Sequence, residues 1–170
     1  MQRQARRLVE GGVSTVFGVS AAAQPFFAAL WRQVFPRRPI VVVTEGLRTQ
    51  ESALQDVTTW CGVARGETGT KATRASIEGL PKAERPLFYP AWEILPHEAR
   101  LPHVDVISER LETLVALTLD NPGPTAPLVI TCLAALLQRT FPRGFLERHS
   151  RQLTRGERID PLDLVEWLED

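Results

Sequence analysis

Residues 88–117 read FYPAWEILPHEARLPHVDVISERLETLVAL, and they follow the most constrained path in the chain. Pro90, Pro96 and Pro102 punctuate the first half, so neither a helix nor a central strand can run through it. We predict a short strand before Pro90, a stiff loop to Pro102, and then a helix capped by Asp105. Helical spacing predicts a core-facing side made of Ile107, Leu111, Leu114 and Val115. The predicted solvent-facing side contains Ser108, Glu109, Arg110 and Glu112.

Strands alternate with helices outward from this stretch. Apolar, β-branched runs predict strands at 13–19, 40–44, 86–89 and 128–131. Helical patterns follow them at 25–35, 46–60, 105–120 and 132–139, with apolar sides that include Phe26, Phe27, Leu30, Trp31 and Val34, then Leu47, Leu54, Val57 and Trp60. This alternation predicts a three-layer α/β domain with a parallel sheet between helices.

Two further segments depart from that alternation. Residues 64–84 are rich in Gly, Thr, Ala and charge, and we expect a mobile excursion there. Residues 149–159 alternate in polarity, which indicates an exposed or edge strand. A last amphipathic helix is predicted after Asp160 as cap, with Pro161 at its first position. Because the pattern stops there, we expect a second, smaller α+β domain that is incomplete, in a chain cut from something longer.

Composition bounds the class of protein. The 170 residues suffice for one full domain and the beginning of another. Charge is balanced at 20 basic and 20 acidic residues, so no global field indicates nucleic acid or membrane. Cys61 and Cys132 have no CxxC partner and are expected to be buried and reduced. No apolar run or leader-like start indicates a membrane or an exported protein, and we expect a cytoplasmic location.

The turn at 18–25, GVSAAAQP, occupies the place of the phosphate-binding pattern GxxxxGK[ST]. Gly18 matches the first glycine, but Ala23, Gln24 and Pro25 replace the second glycine, the lysine and the hydroxyl residue. Gln24 supplies no cation for the phosphates, and Pro25 has neither a hydroxyl for Mg²⁺ nor a backbone donor. We therefore predict a degenerate phosphate loop without a bound cofactor or catalytic role. A nucleotide-dependent enzyme with an atypical loop is the alternative.

Four runs together resemble a known family. The run at 12–30, GVSTVFGVSAAAQPFFAAL, is similar to the first strand, loop and helix of the UvrB-type fold. FYPAWEILPHE at 88–98, DVISERLETL at 105–114 and VITCLAALLQRTFPRGFLERHSRQLTRGERIDPLDLVEWL at 129–168 resemble the N-terminal UvrB-homology module of bacterial transcription-repair coupling factors. The resemblance covers nearly the whole chain except 64–84.

The resemblance implies a domain division and a partner. Residues 1–141 would form UvrB-like domain 1a, and 142–170 would begin domain 2, the surface that docks UvrA. In that family this module has no ATPase of its own. ATP, Mg²⁺, RNA polymerase and double-stranded DNA belong to other modules. Arg158 in TRGERID corresponds to an arginine that contacts UvrA, and a guanidinium suits a partner carboxylate. A solvated surface arginine remains open, as does a scaffold domain that only supports its neighbours.

Other candidate sites rest on weaker patterns. Trp92, Glu93, His97, Glu98 and His103 could form a catalytic or metal cluster, but their spacing matches no usual ligand set. The prolines instead favour a structural loop with Trp92 packed at the sheet edge. Ser20 has no GxSxG elbow and is expected to cap the following helix. His149 is expected on a strand surface. Arg3, Arg6 and Arg7 are expected on a solvated face.

Overall fold

The computed structural model describes residues 10–63, 85–94, 100–118 and 125–169. The predicted excursion at 64–84 lies outside the described residues. The strands are β1 (Ile40–Thr44), β2 (Leu87–Tyr89) and β3 (Leu128–Cys132). The helices are α1 (Gln24–Val34), α2 (Leu47–Val63), α3 (Val104–Thr118), α4 (Leu133–Leu137), α5 (Arg143–Arg148) and α6 (Pro161–Glu169), and a 3₁₀ turn at Ala21–Ala23 precedes α1. None of the described helices is both long and apolar enough to cross a bilayer.

The three strands form a parallel sheet in the order β1-β3-β2. Val42 is in register with Ile130, and Phe88 is in register with the same residue from the other side. All five residues of β3 are buried, as expected for a central strand that is covered on both faces. The predicted α/β class and the parallel sheet are therefore confirmed.

Two apolar clusters lie on opposite faces of this sheet. One combines Leu128 and Ile130 of β3 with Val57 of α2, and Ala28 of α1 packs into it. The other combines Val129 with Tyr89 of β2 and residues of α3 and α4. Successive residues of a strand point to opposite faces, so neighbouring positions of β3 serve both clusters. The core is centred on β3.

The segment at 13–19 is not a strand, contrary to the sequence prediction. It forms no ladder with the described strands, and the side chain of Phe17 is 89% exposed. A β-branched run becomes a strand when a partner pairs with its backbone, and that pairing is a tertiary property. The side chains of α1 are also less covered than predicted, since Phe26 and Val34 are exposed and Ala28 and Ala29 are buried.

The predicted strand at 149–159 is also wrong. Gly156 has φ +92°, and Glu157 N–H donates to the Thr154 carbonyl at 3.0 Å. This backbone reversal interrupts an extended path, because a left-handed glycine turns the chain. The short helix α5 precedes it, and α6 follows with Asp160 Oδ1 accepting from Leu162 N–H at 2.9 Å. The cap predicted at Asp160 is present.

The chain divides into two compact units, Met1–Arg139 and Thr140–Asp170. The sheet, both apolar clusters and α1 to α4 belong to the first unit. The second contains α5, the Gly156 turn and α6. Their assignment to UvrB-like domains 1a and 2, with a boundary after residue 141, stays a prediction.

Candidate functional site

The loop at 18–25 joins an exposed segment to α1. Gly18 has φ +75°, and Ala23 N–H donates to the Ser20 carbonyl at 2.9 Å to close the 3₁₀ turn. The Ser20 side chain makes no capping hydrogen bond, so its predicted capping role is wrong. Pro25 occupies the first turn of α1 and is buried, as its missing N–H allows.

The position of this loop in the fold differs from that of a phosphate loop. Helix α2 starts at the carboxyl end of β1, and Trp60 lies about 20 Å further along that helix. The Phe26 ring, at the start of α1, lies 5.1 Å from the Trp60 ring. The loop therefore lies towards the amino end of the sheet, whereas α/β folds bind ligands at the carboxyl ends of their strands.

A buried polar cluster occupies the carboxyl edge instead. Gln50 Nε2 donates to the carbonyls of Tyr89 and Ile130, both at 3.0 Å. Thr131 Oγ1 donates to the Tyr89 carbonyl at 2.9 Å, and Thr44 Oγ1 donates to the Thr131 carbonyl at 3.2 Å. Gln50 Oε1 is buried and has no partner among the described residues. These bonds hold the strand ends together and leave their carbonyls satisfied.

Arg110 of α3 lies at the same edge and is 1% exposed. Its Nη1 donates to the Pro90 carbonyl and its Nη2 to Tyr89 Oη, both at 2.6 Å. Its guanidinium carbon lies 4.2 Å from the ring centroids of both Tyr89 and Trp92. Burial lowers the pKa of the Arg110 guanidinium, and interactions with the Tyr89 and Cys132 side chains oppose that shift.

Gln138, directly after α4, completes this cluster. Its Oε1 accepts from Trp92 N–H at 2.6 Å, and its Nε2 donates to the Trp92 carbonyl at 3.3 Å. The side-chain amide thus pairs with both backbone groups of one residue, as a neighbouring strand would. Arg110 Nη1 also reaches Gln138 Oε1 at 3.3 Å. The first residues of the loop after β2 are therefore held in place, with Trp92 half-buried against Arg110. Pro96 lies outside the described residues, so the predicted stiffening of the loop by its three prolines stays a prediction.

The solvent-facing prediction for Arg110 is wrong. Helix α3 buries Val106, Arg110 and Thr113, so its core-facing side is rotated by about one residue from the predicted one. Thr113 Oγ1 donates to the Phe88 carbonyl at 2.6 Å, which fixes that rotation. The spacing 106, 110, 113 is helical, so the buried side could have been read from the sequence. The burial of Arg110 could not, because it depends on the positions of Tyr89 and Trp92.

Arg158 lies in the second unit, two residues after the left-handed Gly156. Thr154 N–H donates to Glu157 Oε2 at 3.1 Å, so a side-chain hydrogen bond also spans the turn. Arg158 is exposed, and its guanidinium has no hydrogen-bond or ion-pair partner within the described part of the chain. Such a group is available to an external carboxylate.

Among the residues that the structure describes, the remaining sequence candidates form no group that could hold a metal ion. His103 Nδ1 lies 3.4 Å from Asp105 Oδ2 at the exposed start of α3, while Glu93 is exposed. His97, Glu98 and the three N-terminal arginines lie outside the described residues. His149 ends α5 rather than lying on a strand, and its ring stacks on Phe145 at 4.1 Å. Both cysteines are free; Cys132 is buried, but Cys61 is half-buried.

Fold and sites together define an α/β protein with a structural polar cluster at its sheet edge and an exposed arginine turn in a separate unit. One comparison identifies a relative of part of it. Over 68 residues the chain is 37% identical to the transcription-repair-coupling factor of Escherichia coli K12. The match covers 40% of this chain and 6% of that protein, so a region of the chain is related to coupling factors. No protein-family model and no solved structure matches.

Proposed function

We propose that this chain is a non-catalytic, UvrB-like module of a transcription-repair coupling factor and that it helps to recruit UvrA. The observation that carries the proposal is the 37% identity over 68 residues to such a factor. DNA translocation by ATP hydrolysis, contact with RNA polymerase and contact with double-stranded DNA would belong to modules beyond these residues.

The loop at 18–25 supports the non-catalytic part of the proposal. Gln24 and Pro25 stand where a lysine and a hydroxyl residue would meet phosphate and Mg²⁺. The start of α1 lies near Trp60, away from the carboxyl ends of the strands. A triphosphate bound here would therefore lack its usual cation and its usual place in the fold.

The turn around Arg158 supports the docking part. A partnerless guanidinium on a turn closed by two hydrogen bonds is held in position by its backbone while its side chain stays accessible. Arginine offers a planar, bidentate fork to a carboxylate, and arginines are frequent among the residues that dominate binding energies. UvrA would present an acidic group at the contact.

Calorimetric titration of cognate UvrA with single-residue variants tests this contact. Arg158→Ala should weaken binding about tenfold or more, because a central arginine of an interface typically contributes that much. Arg155→Ala is the matched control, since Arg155 is also exposed and lies on the same turn. Equal losses for the two variants would show general electrostatic attraction and would remove Arg158 from the proposed site.

A further inference from the structure

Helix α6 is apolar over more than half of its circumference, and only part of that surface is covered. Leu164 and Trp167 are half-buried. Leu162, Val165 and Leu168 recur every three residues and form an exposed stripe, in which Leu162 is 73% and Leu168 69% exposed. Glu166 and Glu169 flank this exposed stripe at helical spacing. Three large aliphatic residues exposed in one row are typical of a surface that binds another protein.

Charge is segregated within the second unit. Residues 140–158 contain five arginines and two glutamates, whereas residues 159–170 contain five carboxylates and no basic residue. Arg151 Nη2 pairs with Asp163 Oδ2 at 3.1 Å, so the two halves already make one ion pair within the chain. Arg148, Arg155 and Arg158 have no ion-pair partner among the described residues, and neither do Glu166 and Glu169.

The basic half also exposes apolar surface. Phe141 and Phe145 stack at 5.3 Å with their planes 14° apart, and both rings remain exposed. Leu153 is exposed nearby in sequence. The basic half therefore combines apolar groups with unpaired arginines, and α6 combines apolar groups with unpaired glutamates. Each half carries what the other one lacks.

We propose that the second unit binds a second copy of this chain, with the acidic apolar stripe of α6 from each copy against the basic aromatic half of the other. The two-fold arrangement uses both surfaces twice, as a symmetric dimer requires. Doubling matters because a stable interface buries about 800 Å² per partner, more than one nine-residue helix offers. The complement to α6 is thus supplied by the sequence itself.

Sedimentation equilibrium of the whole chain tests this self-association. The expected result is a reversible monomer–dimer equilibrium that weakens as salt is raised, because the complementary charges are exposed and screened. Leu162→Glu with Leu168→Glu should raise the dimer dissociation constant about tenfold or more. Leu101→Glu is the matched control: Leu101 is 90% exposed in the other unit, and its replacement should leave the equilibrium unchanged.

Charge reversal gives an independent readout. One variant carries Glu166→Arg and Glu169→Arg; a second carries Arg148→Glu, Arg155→Glu and Arg158→Glu. Each variant alone should stay monomeric, because its two surfaces then have the same sign. An equimolar mixture should form heterodimers, because each copy then meets its complement.

A chain that is monomeric at every concentration would overturn the proposal. A dimer that resists both sets of substitutions, or that Leu101→Glu dissociates, would overturn it as well, because the contact would lie elsewhere. None of these measurements includes UvrA, so they test self-association separately from UvrA docking. Because both proposals use Arg158, UvrA and a second copy of the chain would compete for this surface.

Discussion

Arg110 shows how a single residue can organise the edge of a small sheet. Its partners among the described residues are two aromatic faces, a backbone carbonyl, an amide oxygen and a phenol rather than a carboxylate. A planar guanidinium can donate in its plane and stack on rings above and below, which an ammonium cannot. Its geometry is therefore as important as its charge.

Substitution of Arg110 tests that reasoning. Arg110→Met keeps the length of the side chain but leaves the Pro90 carbonyl and Tyr89 Oη unpaired, and we expect unfolding to become easier by about 3 kcal/mol. Arg110→Lys should cost about 2 kcal/mol, because the charge remains and the stacked fork is lost. Urea denaturation measures both values. Arg48→Met on the exposed side of α2 is the control, and its free energy of unfolding should lie within about 0.5 kcal/mol of the parent value. Equal losses of stability at both positions would contradict the role assigned to Arg110.

The elements show where sequence patterns suffice and where they fail. The runs predicted at 40–44 and 128–131 are strands, but only the second is buried on both faces as predicted. Val41 and Val43 of β1, a strand at the edge of the sheet, are about half exposed. The run at 13–19 is also rich in β-branched and apolar residues but is not a strand, since composition does not supply a pairing partner. Arg110 was assigned to the wrong side of its helix because hydrophobicity ranks it as polar, whereas rings and carbonyls distant in sequence bury it.

The loop after β2 depends on one side-chain amide. Gln138→Met removes both hydrogen bonds to Trp92 and leaves its peptide N–H unpaired, which should cost about 2 kcal/mol. Hydrogen exchange at the Trp92 amide should speed up accordingly. Gln33→Met on the exposed surface of α1 should leave that exchange rate unchanged. An unchanged rate in Gln138→Met would mean that the prolines alone hold the loop.

The Gly156 turn gives a second test at the level of elements. Gly156→Ala places a Cβ on a residue with φ +92°, which should destabilise the turn by about 1–2 kcal/mol. Gly144→Ala is a control for which we expect stabilisation rather than destabilisation. Its Cβ would meet only Arg148 Nη1 at 3.7 Å, and helix α5 should gain up to about 1 kcal/mol. Hydrogen exchange across 143–160 distinguishes the two; protection that is unchanged in Gly156→Ala would contradict the turn.

For the whole molecule, the proposal assigns a structural role to the first unit and a binding role to the second. The first unit contributes a sheet whose carboxyl edge is filled by its own polar side chains, and the second contributes an exposed arginine turn. The sequence predicted the α/β class and the parallel sheet. The position of the loop at 18–25 could not be predicted, because it depends on the contact between Phe26 and Trp60, which are distant in sequence.

Nucleotide binding gives a prediction at this scale. Mg-ATP should leave the thermal midpoint of the chain unchanged, because Gln24 and Pro25 cannot replace the lysine and the hydroxyl group. A ligand at a hundred times its dissociation constant would stabilise the fold by about 2.7 kcal/mol, which thermal scans detect readily. Gln24→Lys with Pro25→Ser serves as a comparison that restores the two side chains. A stabilising shift in the parent chain would favour the nucleotide-dependent alternative.

Titration of the parent chain into cognate UvrA, without nucleotide, tests the central proposal most directly. We predict saturable one-to-one binding, because the proposed contact of this chain uses no nucleotide. Absence of heat at concentrations where the chain remains folded would contradict a role in UvrA recruitment.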